Sequence, residues 1–316
     1  MKFSVSVIIP VYNGEQFIKK AIISAVNQPE VAEVIVINDG STDNTQNIIK
    51  KLQLTNSKIK FYQHKNNENK GRSASRNLGI KKALSKYLAF LDADDYYLKE
   101  RFLSDKEKFQ SNIDIDGVYN AVGFHFYREV SKTEQKTLKL NTVIKNIDPN
   151  DLFEVLMSGK YGHFHINGLT VKKSVFSKIG FFNNNLVVAE DTEIFWKMAL
   201  KCQLITGIFD KPVAMRGVHD TNVFNREDLY DKYFLRMYET LISWCTHNQV
   251  SISNIDDLLK WLWLFRYKTN TSLLQHICFW SYFVIVNPRL LFSKLSIKYF
   301  PLIRLRRKLF PFLFNK

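Results

Sequence analysis

The sequence is poor in cysteine, and the three it has, Cys202, Cys245 and Cys278, lie far apart among 316 residues. They show no metal-type spacing, and an odd, sparse set fits a reducing compartment rather than a disulfide framework. Neither G-x-G-x-x-G nor G-x-x-x-x-G-K-[ST] occurs, which speaks against dinucleotide and ATPase chemistry. Long hydrophobic runs are also missing. The longest charge-free segment, Thr269 to Pro288, is interrupted by Asn270, Thr271, Ser272, Gln275 and His276. Its apolar core, Ile277 to Val286, is too short to span a bilayer. Acid is absent from the end of the chain: no Asp or Glu follows Asp257.

What remains is a chain with 46% hydrophobic and 24% charged residues, ordinary for a folded protein and long enough for a substantial core. The net charge of +15 is uneven, because 11 Lys and Arg residues follow Asp257 while residues 1–257 carry 34 basic against 30 acidic. A nearly balanced body and a strongly basic tail point to two different jobs. The first apolar stretch, Val5 to Val11, is short, contains Pro10 and does not read as a secretory signal. The expectation is a cytosolic chain without a transmembrane helix.

Over the first 125 residues, strand and helix patterns alternate. Val5 to Pro10, Val34 to Ile37, Ile59 to Tyr62 and the run ending at Leu91 read as strands, with Gly117 to Val122 as a further candidate. Helices are expected near Glu15 to Asn27, Asp43 to Leu52 and Lys70 to Leu84. Continuous Val/Ile runs alternating with helices indicate an α/β protein with a mainly parallel sheet covered on both faces. Ligands of such sheets bind outside the carboxyl ends of the strands. Pro10 to Asn13, Asp39 to Asp43 and Asp92 to Asp95 all fall there. Residues 129–148 are polar and read as an excursion, followed by a helix to Met157, a strand at Gly168 to Val171 and a helix from Asp191 to Lys201. Strands near Leu204 to Phe209 and Val213 to Val218 come next, and the pattern from Arg226 onward is helical.

Asp92-Ala93-Asp94, where a buried strand ends, offers two carboxylates to a hard divalent cation. Mg²⁺ and Mn²⁺ bind through one or two carboxylates together with substrate phosphates. Alone, such a triplet is an ordinary acidic turn, and Asp39 to Asp43 is an ordinary turn and helix cap. Arg72 and Arg76, one turn apart, alone make a solvated basic face. His163-x-His165 alone is incidental.

Their company changes this reading. Ser6-Val7-Ile8-Ile9-Pro10-Val11-Tyr12-Asn13, Asn38-Asp39-Gly40-Ser41-Thr42-Asp43, Asn69 to Asn77 and Phe90-Leu91-Asp92-Ala93-Asp94-Asp95 together resemble the family 2 glycosyltransferases of GT-A fold, in that family's order. The resemblance covers residues 4–125 strongly and 160–222 moderately. It implies a GT-A catalytic domain over 1–225, with a nucleotide-sugar half at 1–125 and an acceptor half at 126–225. Residues 226–316 would be a helical, basic C-terminal extension.

The resemblance also implies roles. Pro10, Val11 and Tyr12 would form the base pocket, with the Tyr12 ring against uracil, and Asp39 would accept the uracil N3–H. Asn38 stands where the family more often has a second acid. Arg76 would donate to base or diphosphate, Glu15 is a secondary pocket residue, and Arg72 keeps the solvated reading. Asp92 and Ala93 would meet the donor, Asp94 would bind Mn²⁺ or Mg²⁺ directly, and Asp95 would be structural. His219 matches a late family histidine that meets metal or diphosphate. Asp191 matches the general base, with Glu190 contacting acceptor or supporting the loop.

The expected reaction is therefore inverting transfer of a hexosyl or N-acetylhexosaminyl group from a UDP-sugar to a cell-surface glycan, such as lipopolysaccharide, capsule or another lipid-linked saccharide. A catalytically silent GT-A-like protein that binds glycan or nucleic acid is the alternative. Residues 258–316 interleave Lys and Arg with aromatics. That composition suits an anionic membrane surface, contacted through 288–316 on the inner face of the cytoplasmic membrane. Homo-oligomerisation is the second reading of the tail and nucleic acid the third, because no recognition motif accompanies the charge.

Overall fold

The computed structural model describes residues 3–112, 114–222, 226–266, 272–304 and 307. The chain divides into two compact units, Met1–Arg226 and Glu227–Lys316.

The first unit begins with β1 (Val5–Val11), α1 (Ile18–Val26), β2 (Val31–Asn38), α2 (Thr45–Thr55), β3 (Ile59–Gln63), α3 (Arg72–Lys82) and β4 (Tyr87–Phe90). There follow β5 (Tyr96–Tyr97), α4 (Leu103–Ser111), β6 (Gly117–Tyr119), β7 (Val122–Phe126), α5 (Lys132–Thr137) and β8 (Leu140–Asn141). The unit closes with α6 (Leu152–Ser158), β9 (Leu169–Lys172), α7 (Val175–Ile179), α8 (Glu190–Lys201), β10 (Leu204–Thr206) and β11 (Ala214–Val218).

Seven strands form the main sheet in the order β10-β6-β9-β4-β1-β2-β3. All neighbours are parallel except β9, which runs antiparallel to both β4 and β6. Strands β1 and β2 are buried almost throughout, as continuous Val/Ile runs require when both faces are covered. Register then aligns the strand ends: Val11 lies opposite Asn38 and Ile8 opposite Phe90. Tyr12, Asp39 and Asp92 therefore leave the sheet on one rim.

Gly117 to Val122 is not one strand. The chain leaves the main sheet after Tyr119 and enters a second, four-stranded sheet of order β5-β11-β7-β8 at Val122. Asn120 holds this corner, donating Nδ2 to Asp105 at 2.8 Å and to the Gly168 carbonyl at 3.0 Å, and accepting from Ile208 N at 2.8 Å. Within residues 129–148, expected as an excursion, stand the short α5 and β8.

Beneath the rim, Arg101 and Asp105 are fully buried and paired at 2.7 Å. Arg101 Nε also donates to the Asn167 carbonyl at 3.1 Å, and Asp105 accepts from Thr170 Oγ1 at 2.5 Å. Four elements meet at this cluster, which fixes the turn carrying Asn167.

The second unit contains α9 (Glu227–His247), α10 (Ile252–Arg266), α11 (Leu273–Val286), α12 (Lys294–Lys298) and α13 (Pro301–Arg304). Met237, Leu241 and Cys245 of α9 are buried, as are Leu258, Leu262 and Trp263 of α10. Residues 305–306 and 308–316, part of the expected membrane-contact segment, lie outside the described residues.

Removing one partner of a buried ion pair leaves an uncompensated charge. Asp105→Ala should destabilise the first unit by about 3–5 kcal/mol in urea denaturation; an unchanged midpoint would show that the pair contributes nothing.

Candidate active site

Each rim loop is held in place by its own polar side chains. Asn38 accepts from Ser41 N at 3.2 Å and donates to Asn67 at 3.2 Å. Gly40 has φ +77°, and a Cβ there would lie 2.7 Å from the Asn67 carbonyl. Only glycine permits this close approach of the two loops. Asp39 is buried and accepts from Lys70 N at 2.8 Å and Gly71 N at 2.9 Å, so the β2 loop fixes the entry to α3.

Tyr12 is 53% exposed beside this loop, while Val11 is buried and Pro10 lies in β1 opposite Ile37 of β2. Glu15, expected as a secondary pocket residue, turns to the α2 entry. Its Oε2 accepts from Asn44 N at 2.9 Å, and Asp43 accepts from Glu15 N at 3.1 Å. These two acids cap each other's loops.

Arg76 occupies the centre. It is 1% exposed, and its terminal nitrogens donate to Asp92 Oδ1 at 2.7 Å and Glu190 Oε1 at 2.9 Å. The expectation was a donor to base or diphosphate; the structure commits both ends of the guanidinium to carboxylates. Arg72 Nη1 lies 3.4 Å from the same Glu190 oxygen and is no free solvated cation. The Glu190 carboxylate beside it, opposing burial, raises the Arg72 pKa above its ordinary value.

The two acids respond in opposite ways. Burial disfavours charge on Asp92, but Arg76 and Arg72 outweigh it and hold that carboxyl well below the usual range. At Glu190 burial wins over Arg72 and Arg76, and the pKa rises. Ala189, immediately before it, has φ 62°, a left-handed conformation that β-carbon-bearing residues adopt reluctantly. This turn delivers Glu190 to Arg76 and leaves Asp191 half-buried on the first turn of α8, accepting from Thr192 N at 2.7 Å.

On the other side, Asp94 Oδ2 lies 2.9 Å from His219 Nε2 and accepts from Asn222 Nδ2 at 3.2 Å. Gly217 makes the approach possible, since a Cβ there would sit 2.4 Å from the Asp94 carbonyl. The His219 ring stacks on Phe17 at 4.9 Å, and its Nδ1 pairs with Thr221 at 2.9 Å. With Nδ1–H donating to Thr221, the Nε2 lone pair accepts from Asn222 Nδ2 at 3.0 Å, a bond that a cation on Nε2 would replace. Ligands about 2.1 Å from an octahedral ion stand about 3 Å apart in cis positions, so the Asp94–His219 pair fits Mn²⁺ or Mg²⁺.

Asp92, Asp95 and His165 also converge, with ligand atoms within 4.8 Å of one another. Their capacity is largely taken up. Asp95 accepts from Gly217 N at 2.7 Å and from Asn167, Asp92 accepts from Arg76, and His165 accepts from Asn167 N at 3.4 Å. Burial, then Asp94 and Asp92, push the Asp95 carboxyl up, and burial with Arg216 lowers His165 to about 4. The Asp94–His219 pair at the rim is the other arrangement that could hold a divalent cation.

Asn167 was not anticipated, although it accepts from Asp92 N at 3.1 Å and donates to Asp95. Nothing around Ile166-Asn167-Gly168 advertises that duty. Arg72 has a legible signal, its one-turn spacing from Arg76.

The family model "Glycosyl transferase family 2" matches residues 6–180. The chain belongs to glycosyl transferase family 2. An uncharacterized glycosyltransferase of Rickettsia bellii is 48% identical over 98 residues, covering 31% of this chain and 14% of that protein. The chain thus spans a minor part of that relative's length, and no more than 54% of the next two.

Among solved structures, Staphylococcus aureus TarS (residues 1–349) in complex with UDP-GlcNAc aligns with TM-score 0.64 and 17% identity, covering 96% of this chain and 92% of that fragment. The Pyrobaculum calidifontis mannosyltransferase PcManGT, in complex with GDP-Man and Mn²⁺, aligns with TM-score 0.54 and 14% identity, covering 98% and 88%. At these identities the likeness concerns the GT-A fold, which this member of the family shares.

Asp92, depressed, contributes stability that is full above about pH 3.9 and is lost only as pH falls through its lower folded value. Glu190, raised, acts in reverse: its stabilising proton is lost as pH rises from about 4.3 through the folded value. Arg76→Met removes the partner of both. Its destabilisation should be about 3–5 kcal/mol at pH 7 and clearly smaller at pH 4, where both acids can take a proton. Denaturant melts at the two pH values measure this; a pH-independent difference would contradict the assignment.

Proposed function

We propose that this chain is a metal-dependent, inverting glycosyltransferase that moves a hexosyl or N-acetylhexosaminyl group from a UDP-sugar to a hydroxyl of a growing cell-surface glycan. One observation carries the reading: the Asp92–Arg76–Glu190 bridge ties the rim of the nucleotide half to the loop bearing Asp191. Donor and acceptor chemistry then share one rigid corner.

The exposed Tyr12 ring offers a face to the uracil. Asp39 holds the pocket's backbone, His64 Nε2 stands 3.4 Å from its Oδ1, and Oδ2 has a further lone pair for the N3–H. Asp94 and His219 would hold Mn²⁺ or Mg²⁺, which when bound supplies Lewis-acid charge to the diphosphate. The GDP-Man and Mn²⁺ of the mannosyltransferase complex, and the UDP-GlcNAc of the TarS complex, support a nucleotide-sugar donor and a metal.

Asp191 acts as general base. It takes the proton of the acceptor hydroxyl as that oxygen attacks the anomeric carbon, and the carbon–diphosphate bond breaks on the opposite face. A single displacement inverts the configuration. Glu190 and Arg76 are positioning residues, keeping Asp191 in reach.

An acceptor carried on a lipid accounts for the basic tail, and it places the protein peripherally on the inner face of the cytoplasmic membrane. Among the described residues, no helix is long and apolar enough to cross a membrane.

Asp191→Asn should lower sugar transfer by about 10²–10⁴-fold while UDP affinity, measured by calorimetry, is retained. Asp94→Ala should abolish the Mn²⁺-dependent increment of UDP binding. Full turnover in Asp191→Asn, or an unchanged increment in Asp94→Ala, would overturn the reading.

A further inference from the structure

Helix α11 carries no charged side chain from Leu273 to Val286, in a chain where 24% of residues are charged. Its position is fixed. Ser272 and Gln275 form a capping box at the start, and Asn287 at the end donates to the Phe283 carbonyl at 2.9 Å and accepts from Thr246 at 2.9 Å. His276, Phe283 and Val284 are buried within the second unit.

The opposite face is bare. Leu274 is 69% exposed, Tyr282 67% and Ile285 75%, with Cys278 and Val286 also exposed. At about 100° per residue these five fall within an arc of about 120°. Beyond the helix, Leu291 is 57% and Phe292 80% exposed. A contiguous exposed apolar face of this kind marks an interaction site.

The charge around it selects the occupant. Trp280 Nε1 donates to the Ser296 carbonyl at 2.9 Å and holds α12, with its exposed Lys294 and Lys298, against α11. Arg304 and Arg307 are exposed further on, and no acid follows Asp257. A symmetric pairing of two copies through this face would bring equal basic surfaces together. Anionic headgroups would neutralise them, and an apolar helix face within a segment that carries Lys and Arg but no acid suits the headgroup–acyl boundary.

We infer that the exposed face of α11 is a seat for an anionic lipid bilayer. Leu274, Tyr282, Ile285 and Phe292 enter the interface, and Lys294 and Lys298 meet the headgroups. This deepens the peripheral placement proposed above and rests on it. The contact begins at α11 itself, upstream of residues 288–316.

Cosedimentation of the full chain with phosphatidylglycerol and phosphatidylcholine vesicles tests it. Binding should be at least tenfold tighter to the anionic vesicles. Ile285→Glu and Tyr282→Glu should each weaken it at least tenfold, whereas Leu54→Glu, at an exposed apolar position of α2, should not change it. Equal binding to both vesicles, unaltered binding by Ile285→Glu, or a dimer in light scattering that Ile285→Glu dissolves while wild type ignores vesicles would each overturn the inference. UDP calorimetry on the same preparations separates the readings. Lost vesicle binding with intact UDP binding sinks the peripheral placement together with this inference and leaves the donor assignment standing, vesicle binding unaltered by Ile285→Glu sinks this inference alone, and lost UDP binding with intact vesicle binding sinks only the donor assignment.

Discussion

A buried guanidinium must be paired, and that constraint organises the first unit. Arg76 is almost fully enclosed and satisfies two carboxylates that lie 16 and 114 residues away in sequence. Leaving such a charge without partners costs several kcal/mol, so Asp92 and Glu190 must both come to it. Glu190 reaches Arg76 through the left-handed Ala189, a conformation that costs about 1–3 kcal/mol and persists only when its surroundings enforce it. Asp191 is thereby fixed at the first turn of α8. The distance between the two halves of the site is set by one side chain.

The opposite end of the acidic triplet is set by approach of backbones rather than by charge alone. Gly217 lets β11 run against the Asp94 carbonyl, and Asp95 accepts from Gly217 N at 2.7 Å. Asn167 then joins Asp92 and Asp95 from below, itself fixed by Arg101. Asp94 is left facing His219, while Asp92 and Asp95 are occupied by structural bonds. Three adjacent acids thus have three environments: Asp92 held ionised by arginines, Asp95 pushed up by burial beside its like-charged neighbours, and Asp94 at the rim.

Much of this fold is legible in sequence because its signals are local. Val/Ile runs announce β1 and β2, and their buried, parallel pairing explains why the polar turns at Tyr12, Asp39 and Asp92 share one rim. The reversal of β9 and the transfer from β6 to β7 are not legible, since both depend on which strand edges remain open once the sheet has formed. Asp92, Asp94 and Asp191 stand out by residue type and motif. The partners of Arg76 do not, because an arginine on a helix looks the same whether solvated or buried against carboxylates remote in sequence. Asn167 is silent for the same reason: its hydrogen bonds run to residues 72 and 75 positions away.

The most direct test of the Arg76 bridge is a double-mutant cycle on folding stability, combining Arg76→Met with Glu190→Gln in urea denaturation. Side chains that share one buried charge network couple by about 0.5–3 kcal/mol, and the bridge predicts a coupling above about 1 kcal/mol. Additivity within about 0.3 kcal/mol would mean that Arg76 and Glu190 stabilise the protein independently, and the two halves of the site would not be joined as described.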